Sequence, residues 1–312
     1  MSKILVTAKV NPDLDGTSCT LAYSDLIKQL GGDAEGLVTG SPQSEVKYFI
    51  DKHGIQIPTR QDDDSGDWNE FILVDASSMK GMPKVVVAEK VVESIDHRTG
   101  EPEKEFYNAK IQNELIGAAA TIIVERFIKA SKKIQPDHAK LLYGAIYHNT
   151  LNFIATNASQ RDRDAAKYLK TGFNFDESII REMFDFATHE VENDVKKALE
   201  DDAKEFGTGW KIGAYQLVVW GNEVFVNKEL VEKSVNDLRT RMEADWSFVN
   251  IVDLESKQSH IFVSDAKGED VLSIALGVKF EDGWTNLPHA LLRKQIMPEV
   301  NKVVEKTKNE NI

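Results

Sequence analysis

The sequence predicts an α/β protein in parts: an N-terminal parallel-sheet part over residues 1–188, a helical connector over 189–206, and a smaller α+β part over 207–312. Three observations predict it. From Lys3 to about Phe175, short apolar runs alternate with helical stretches, as in a strand–helix–strand series. Several of those runs end in acids, imidazoles or amides, as strands do at the carboxyl edge of an open parallel sheet. After Gly207-Thr208-Gly209 the character turns β-rich.

Ile4-Leu5-Val6 opens the series as a strand, and Leu21 to Leu30 reads as the first helix, stopped by Gly31-Gly32. Ala34 to Val38 is the next strand, and Glu45 to His53 a helix ended by Gly54. Gln61 to Asp67 is an acidic, solvated loop. Phe71 to Val74 ends on Asp75, and Val91 to Ile95 ends on Asp96-His97-Arg98. Gly117 to Lys132 and Pro136 to His148 read as helices, the first with Ala, Ile and Val on its buried face. Tyr143 to Thr150 closes on His148-Asn149, as a fourth polar strand end or as the end of that second helix. Ser178 to Glu205 is helical and highly charged, with no strand signal. Beyond it, Tyr215 to Trp220 and Val224 to Val226 suggest a hairpin about Gly221-Asn222, and Leu230 to Ala244 a helix. Phe248 to Leu254 and His260 to Ser264 are strands, and Val271 to Phe280 mixes a strand with apolar packing residues. A turn at Gly283-Trp284 leads into a helix over Pro288 to Thr307.

The chemistry concentrates in Asn11-Pro12-Asp13-Leu14-Asp15-Gly16, just after the first strand. Asp-x-Asp aims two hard oxygen donors into a small volume, as Mg²⁺ or Mn²⁺ requires. Asp and Asn also serve as turn and cap residues, so the motif gains weight only from company. Asp75, Asp96-His97 and His148-Asn149 supply that company if the segment ends converge.

In these residues the chain resembles the DHH phosphoesterases, and within them the manganese-dependent (family II) inorganic pyrophosphatases and exopolyphosphatases with a DHHA2-type C-terminal domain. The resemblance runs nearly end to end. It rests on Asn11-Pro12-Asp13-x-Asp15, Val74-Asp75, Asp96-His97, Gly117-Ala118-Ala119-Ala120-Thr121 opening a helix, and Leu292-Arg293-Lys294-Gln295-Ile296-Met297-Pro298 near the end. It implies a DHH domain, a DHHA2-like phosphate-binding domain and an active-site cleft between them. Asp13, Asp15, Asp75 and His97 match the family's metal ligands, with Asn149 at a fifth such position. Arg293 and Lys294 match its basic phosphate-binding signature, and Arg98 and Lys9 would add positive charge. A homodimer is implied by the same resemblance.

The departures have an electrostatic direction. Where the family has a metal-binding His, this chain has Lys9; where it has a metal-binding Asp, Asn149; where it reads Asp-His-His, Asp96-His97-Arg98; and the basic signature opens on Leu292 in place of Ser. Asn offers one neutral carbonyl oxygen, and a charged ammonium has no acceptor at all. Lys9 could stand where a second metal would, paired with Asp13 and Asp75. One metal is therefore expected in preference to two, Mn²⁺ or Mg²⁺, centred on Asp15, Asp75 and His97. Asp96 is expected to orient His97. His148 is a spare imidazole beside the site.

Composition bounds the alternatives. At 312 residues there is room for two domains and sizeable cores. Net charge −13, from 51 acids against 38 bases, argues against a nucleic-acid surface. The single cysteine, Cys19, excludes an intrachain disulfide framework and reads as a small core residue. The lack of a long apolar run or signal-peptide pattern argues for a cytoplasmic protein with no membrane partner. Two functions compete. One is a hydrolase of phosphoanhydrides, pyrophosphate or short polyphosphate, with a depleted metal site. The other is an inactive relative that binds phosphate or nucleotide, with Lys9 replacing a metal. A phosphodiesterase of the DHH type for short RNA or cyclic dinucleotides is disfavoured, because no glycine-rich C-terminal motif is present.

Overall fold

The computed structural model describes residues 2–62, 66–98, 100–207, 210–221 and 227–310, with residues 308–310 described by backbone alone. They divide into two compact units, Met1–Met183 and Phe184–Ile312.

The first unit runs β1 (Lys3–Thr7), α1 (Leu14–Gln29), β2 (Asp33–Gly36), β3 (Val38–Thr39), α2 (Ser44–His53), β4 (Thr59–Arg60), β5 (Glu70–Val74), β6 (Val91–Asp96), β7 (Lys110–Asn113), α3 (Ala119–Ala130), α4 (Pro136–Asn149) and α5 (Gln160–Phe173). Helix α6 (Ser178–Asn193) crosses the division. Five strands form one parallel sheet in the order β2-β1-β5-β6-β7, while β3 and β4 pair separately. From β1 the chain goes first to β2 on one side and later to β5 on the other. The carboxyl ends of β1 and β5 therefore flank the point where strand order reverses, the usual crevice for a ligand in an open α/β sheet.

Helix α1 begins seven residues before the expected Leu21. The Asp13 carboxylate accepts the Gly16 N–H at 3.0 Å and caps it. Gly16, Thr17, Ser18 and Thr20 look polar in sequence, yet all are buried where α3 and α4 pack on α1. Gly16 is needed for another reason, the turn from β1 folding back on the start of α1: a Cβ there would lie 2.9 Å from the Ala8 Cβ and 3.0 Å from the Pro12 Cβ. The strand expected over Ala34–Val38 is split into β2 and β3. Tyr143 to Thr150 is the end of a helix, not of a strand. Helix α5 lay beyond the sequence reading, although Ser159 and Asp162 form a capping box at its start. Part of the acidic loop at Gln61–Asp67 lies outside the described residues.

The second unit comprises α7 (Val195–Asp202), β8 (Lys204–Phe206), β9 (Ile212–Val219), α8 (Lys228–Met242), β10 (Trp246–Asp253), β11 (Gln258–Val263), α9 (Ala266–Leu276), β12 (Trp284–Leu287) and α10 (Arg293–Glu310). Its sheet runs β12-β11-β10-β9-β8, with β9 and β10 parallel and the other pairs antiparallel. Every residue of β10 is buried, because both faces are covered. Leu199, Val231, Val235 and Leu238 pack on one face, and Leu272, Ile296 and Val300 on the other.

Three expectations change here. The charged stretch after Ser178 is broken at Asp194, which caps α7, and ends in a strand, β8. Val271 to Phe280 is mostly helix: Asp265 caps α9 and Gly277, with positive φ, stops it. The inner arm of the expected hairpin is β9, whose neighbours are β8 and β10; Val224–Val226 lies outside the described residues. Among the described residues no helix is long and apolar enough to cross a membrane.

Candidate metal centre

Four segments meet at the carboxyl edge of the first sheet. The β1–α1 turn brings Lys9, Asp13 and Asp15, β5 ends on Asp75, β6 leads into Asp96-His97-Arg98, and α4 ends on Asn149. One ligand atom each from Asp15, Asp75 and His97 lies within 4.8 Å of the other two. This is the single such group among the described residues; Asp13 and His148 stand outside it.

Each member is held by a distinct device. Asp75 sits just past β5 with φ +52, the left-handed region that Asp tolerates better than most residues. In this turn its carbonyl oxygen and its Oδ1 both accept from Arg98 Nη2, each at 2.5 Å. His97 faces the carboxylates with Nε2, 3.4 Å from Asp75 Oδ1 and 3.7 Å from Asp15 Oδ2. Its Nδ1 is 3.1 Å from the Ile116 carbonyl oxygen, which can only accept, so Nδ1 carries a proton and Nε2, facing the carboxylates, is the nitrogen a cation would take in exchange for its own proton. Asp96, expected to orient the ring, instead accepts the His97 backbone N–H at 2.7 Å and Arg98 Nε–H at 3.0 Å. The ring is oriented by Ile116.

Asp15 has a second occupation. Its oxygens accept the backbone N–H of Ala119 (2.8 Å) and Ala120 (2.7 Å), the first turn of α3, whose own N-cap residue is Ala118 and has no side-chain oxygen. A carboxylate from another helix thus caps α3 and lies at the positive end of its dipole. Asn149 Nδ2 donates to Asp15 Oδ2 at 2.6 Å, the one orientation of the amide that a carboxylate accepts. The Cys19 thiol, 3.6 Å from Asp15 Oδ1, is a further donor. Burial and the acids around it push that thiol up, so Cys19 is a buried donor with no nucleophilic character.

The charges interlock. Burial, then the Asp75 charge, pushes Asp15 up to about 7. Burial also raises Asp13, with Asp75 and Glu45 adding to it. Burial opposes the Asp75 carboxylate too, but Arg98, His97 and Lys9 together hold it below its ordinary value. For His97, burial works against the imidazolium; the hydrogen bond to Asp75 and the Asp15 charge outweigh it and lift the ring to about 9.

Lys9, half-buried, makes no ion pair within 4.0 Å to Asp13 or Asp75 among the described residues; it acts on Asp75 from further off. The close pairing expected of it is replaced by that of Arg98. In the second unit, Arg293 is 7% exposed, and its guanidinium pairs with the Asp202 carboxylate and the Ala214 carbonyl oxygen. That commitment ties α10 to α7 and β9 and leaves Arg293 no free donor fork for a phosphate. Lys294 is exposed on the first turn of α10.

The triad fits one divalent cation: two hard carboxylate oxygens and a neutral imidazole nitrogen in reach of one centre. No second set of three donors exists among the described residues, and Lys9 and the donating amide of Asn149 oppose one. Sequence reasoning missed the Ile116 carbonyl and the α3 amides as partners. It also missed Asp162, fully buried and accepting from Gly117 N–H and Thr121 Oγ1–H, which secures the turn before α3; the Ser159-x-x-Asp162 box was its visible sign.

Residues 3–146 match the model of the DHH family, N-terminal domain. The chain is similar to two proteins named as manganese-dependent inorganic pyrophosphatases. It is 28% identical to that of Exiguobacterium sp. and 27% to that of Staphylococcus saprophyticus, over 98% of this chain and 100% of each relative. A Methanococcus jannaschii crystal structure described as a family II inorganic pyrophosphatase superposes with TM-score 0.73 at 24% identity, over 96% of this chain and 99% of that one. An exopolyphosphatase-related protein of Bacteroides fragilis does so with TM-score 0.52 at 12% identity, over 99% and 93%. The matched residues run from β1 almost to the end of α4 and hold Asp13, Asp15, Asp75 and His97, so the similarity to the DHH family's N-terminal domain takes in all three residues of the candidate metal centre.

Proposed function

We propose that this protein is a phosphoanhydride hydrolase acting on inorganic pyrophosphate or short polyphosphate with one divalent cation, Mn²⁺ or Mg²⁺, held by Asp15, Asp75 and His97. The observation that carries the reading is His97: Ile116 holds a proton on Nδ1, so Nε2 points at two carboxylate oxygens as a ligand does. Full-length similarity to proteins named as manganese-dependent pyrophosphatases supports the reaction class. When bound, the cation lowers the pKa of a coordinated water and screens phosphate charge. The chain's own residues do the rest. Asp15 and Asp75 keep the donor oxygens in place through the α3 amides and the Asp75 turn. Lys9 adds a positive charge on the β1 side of the site, which favours an anionic substrate. Lys294 is assigned to phosphate by residue type and Arg293 to structure.

A second reading, a phosphate- or nucleotide-binding relative without turnover, is favoured by Asn149, whose amide satisfies Asp15 with no metal present. Calorimetric Mn²⁺ and Mg²⁺ binding to chelator-stripped protein, with phosphate release from pyrophosphate and tripolyphosphate, separates the two. One bound cation with release supports the hydrolase. A bound cation, or none, with no release from either substrate establishes the second reading.

A further inference from the structure

We propose that Arg98 is a resident cation that a divalent metal must displace from Asp75, and that the displaced guanidinium then takes a phosphate oxygen of the substrate. The inference rests on the single-metal reading above and adds a residue that competes with the metal.

The geometry requires the competition. Oδ1 of Asp75 is the oxygen nearest His97 Nε2, at 3.4 Å, and the same Oδ1 is 2.5 Å from Arg98 Nη2. A cation bound between Asp75 and His97 draws on the same oxygen that the guanidinium faces, and two positive charges so close on one oxygen repel each other. The α3 amides hold the Asp15 oxygens in place as the neighbouring donors, but they do nothing to relieve the competition at Asp75. Without metal the arrangement is nearly self-sufficient: Asp75 has Arg98 and His97, and Asp15 has Asn149 and α3.

Arg98 is also built to leave. Its side chain is 40% exposed, whereas Asp75 is 9% and Asp96 1%. The Nε–H to Asp96 Oδ1 bond, at 3.0 Å, holds the base of the guanidinium while Nη2 turns away from Asp75. The planar fork then presents donors to solvent at the rim of the site, where a phosphate oxygen is a better partner than water. A lysine could not do both, because it has no second donor arm to stay on Asp96 while the first moves.

The test is Mn²⁺ affinity, by calorimetry and by the electron paramagnetic resonance of free Mn²⁺, on the full chain and its Arg98→Met variant. The methionine keeps stem volume and removes the competitor. Binding should tighten by about tenfold or more, the equivalent of one partly exposed ion pair. Unchanged or weaker binding in a folded variant overturns the proposal. Should Arg98→Met not fold, the wild-type chain decides: the Arg98 Nη–H resonances, followed by NMR in a Mg²⁺ titration, should move with metal occupancy, and resonances that stay still overturn it. Tighter Mn²⁺ binding together with no phosphate release would leave the competition standing and remove the hydrolase reading. Phosphate release with Arg98 indifferent to metal would do the reverse.

Discussion

Asn149 donates its side-chain amide to Asp15, Nδ2 to Oδ2 at 2.6 Å, across 134 residues of chain. The pair inverts what two facing acids would do: where two carboxylates need a cation between them, a carboxylate and an amide need nothing. Asn149→Asp should therefore destabilise the chelator-treated protein by about 2 kcal/mol, through a lost hydrogen bond and buried like charges. Thermal melts with chelator and with Mn²⁺ check it, the expected result being a loss that Mn²⁺ reverses.

Asp15→Asn should cost stability whether or not metal is present. The amide cannot accept from Ala119, Ala120 and Asn149 at once, so one buried N–H of α3 loses its acceptor, at about 1–3 kcal/mol. Urea unfolding should show the midpoint fall in chelator and fall further in Mn²⁺, where the variant also loses metal stabilisation. A fall confined to the Mn²⁺ sample would make Asp15 a ligand alone.

Gly16→Ala places a methyl 2.9 Å from Ala8 and 3.0 Å from Pro12, both on the chain that leads into α1. We expect about 1–3 kcal/mol of destabilisation from overpacking. The same methyl comes to 3.6 Å from Asp75 Oδ2, so Mn²⁺ binding should weaken with it, as calorimetry would show.

Metal affinity should rise with pH. His97 is lifted from 6.5 to about 9, so in the folded metal-free protein it keeps its proton through neutral pH. A group raised in this way stabilises the folded chain fully below 6.5, and that stabilisation is lost as pH climbs through about 9. Metal binding has the opposite sign, because the cation must displace that proton. Apparent Mn²⁺ affinity measured from pH 6.5 to pH 9 should increase and stability in chelator should fall; a flat affinity profile would take His97 out of the ligand set.

Lys9→His with Asn149→Asp exchanges an ammonium and an amide for two potential ligands. Calorimetry should then count two Mn²⁺ per chain where the parent binds one. A stoichiometry still of one would mean that Arg98 or the backbone, not these two side chains, limits the site.

The parallel sheet and most of the site were legible because acids and an imidazole stand directly after apolar runs, at Asp75 and at Asp96-His97. Partners were less legible than positions. Nothing in the string of letters tells that Asp15, in the first turn of α1, caps α3, or that Asn149 turns its donor end inward; both facts need packing of segments more than a hundred residues apart. The start of α1 hid for a related reason, since Gly16-Thr17-Ser18 has no apolar period and is buried only because α3 and α4 cover it. Val271 to Leu276 is apolar at a spacing that suits strand or helix, and the Asp265 cap and the Gly277 stop decide for α9. Strands β8 and β12, of three and four residues, are too short for any periodicity to reveal. The resemblance to a basic phosphate-binding signature points Arg293 at phosphate, whereas its burial against Asp202 ties it to the fold.

The capping of α3 by Asp15 has a kinetic consequence. The bonds to Ala119 and Ala120 close loops of 104 and 105 residues, and that from Asn149 one of 134. Contacts of such sequence separation carry a high closure entropy and form late, after local helices and neighbouring strands are in place. The amide protons of Ala119 and Ala120 are therefore clocks for site assembly: during refolding they should be among the last in this unit to gain protection from hydrogen exchange.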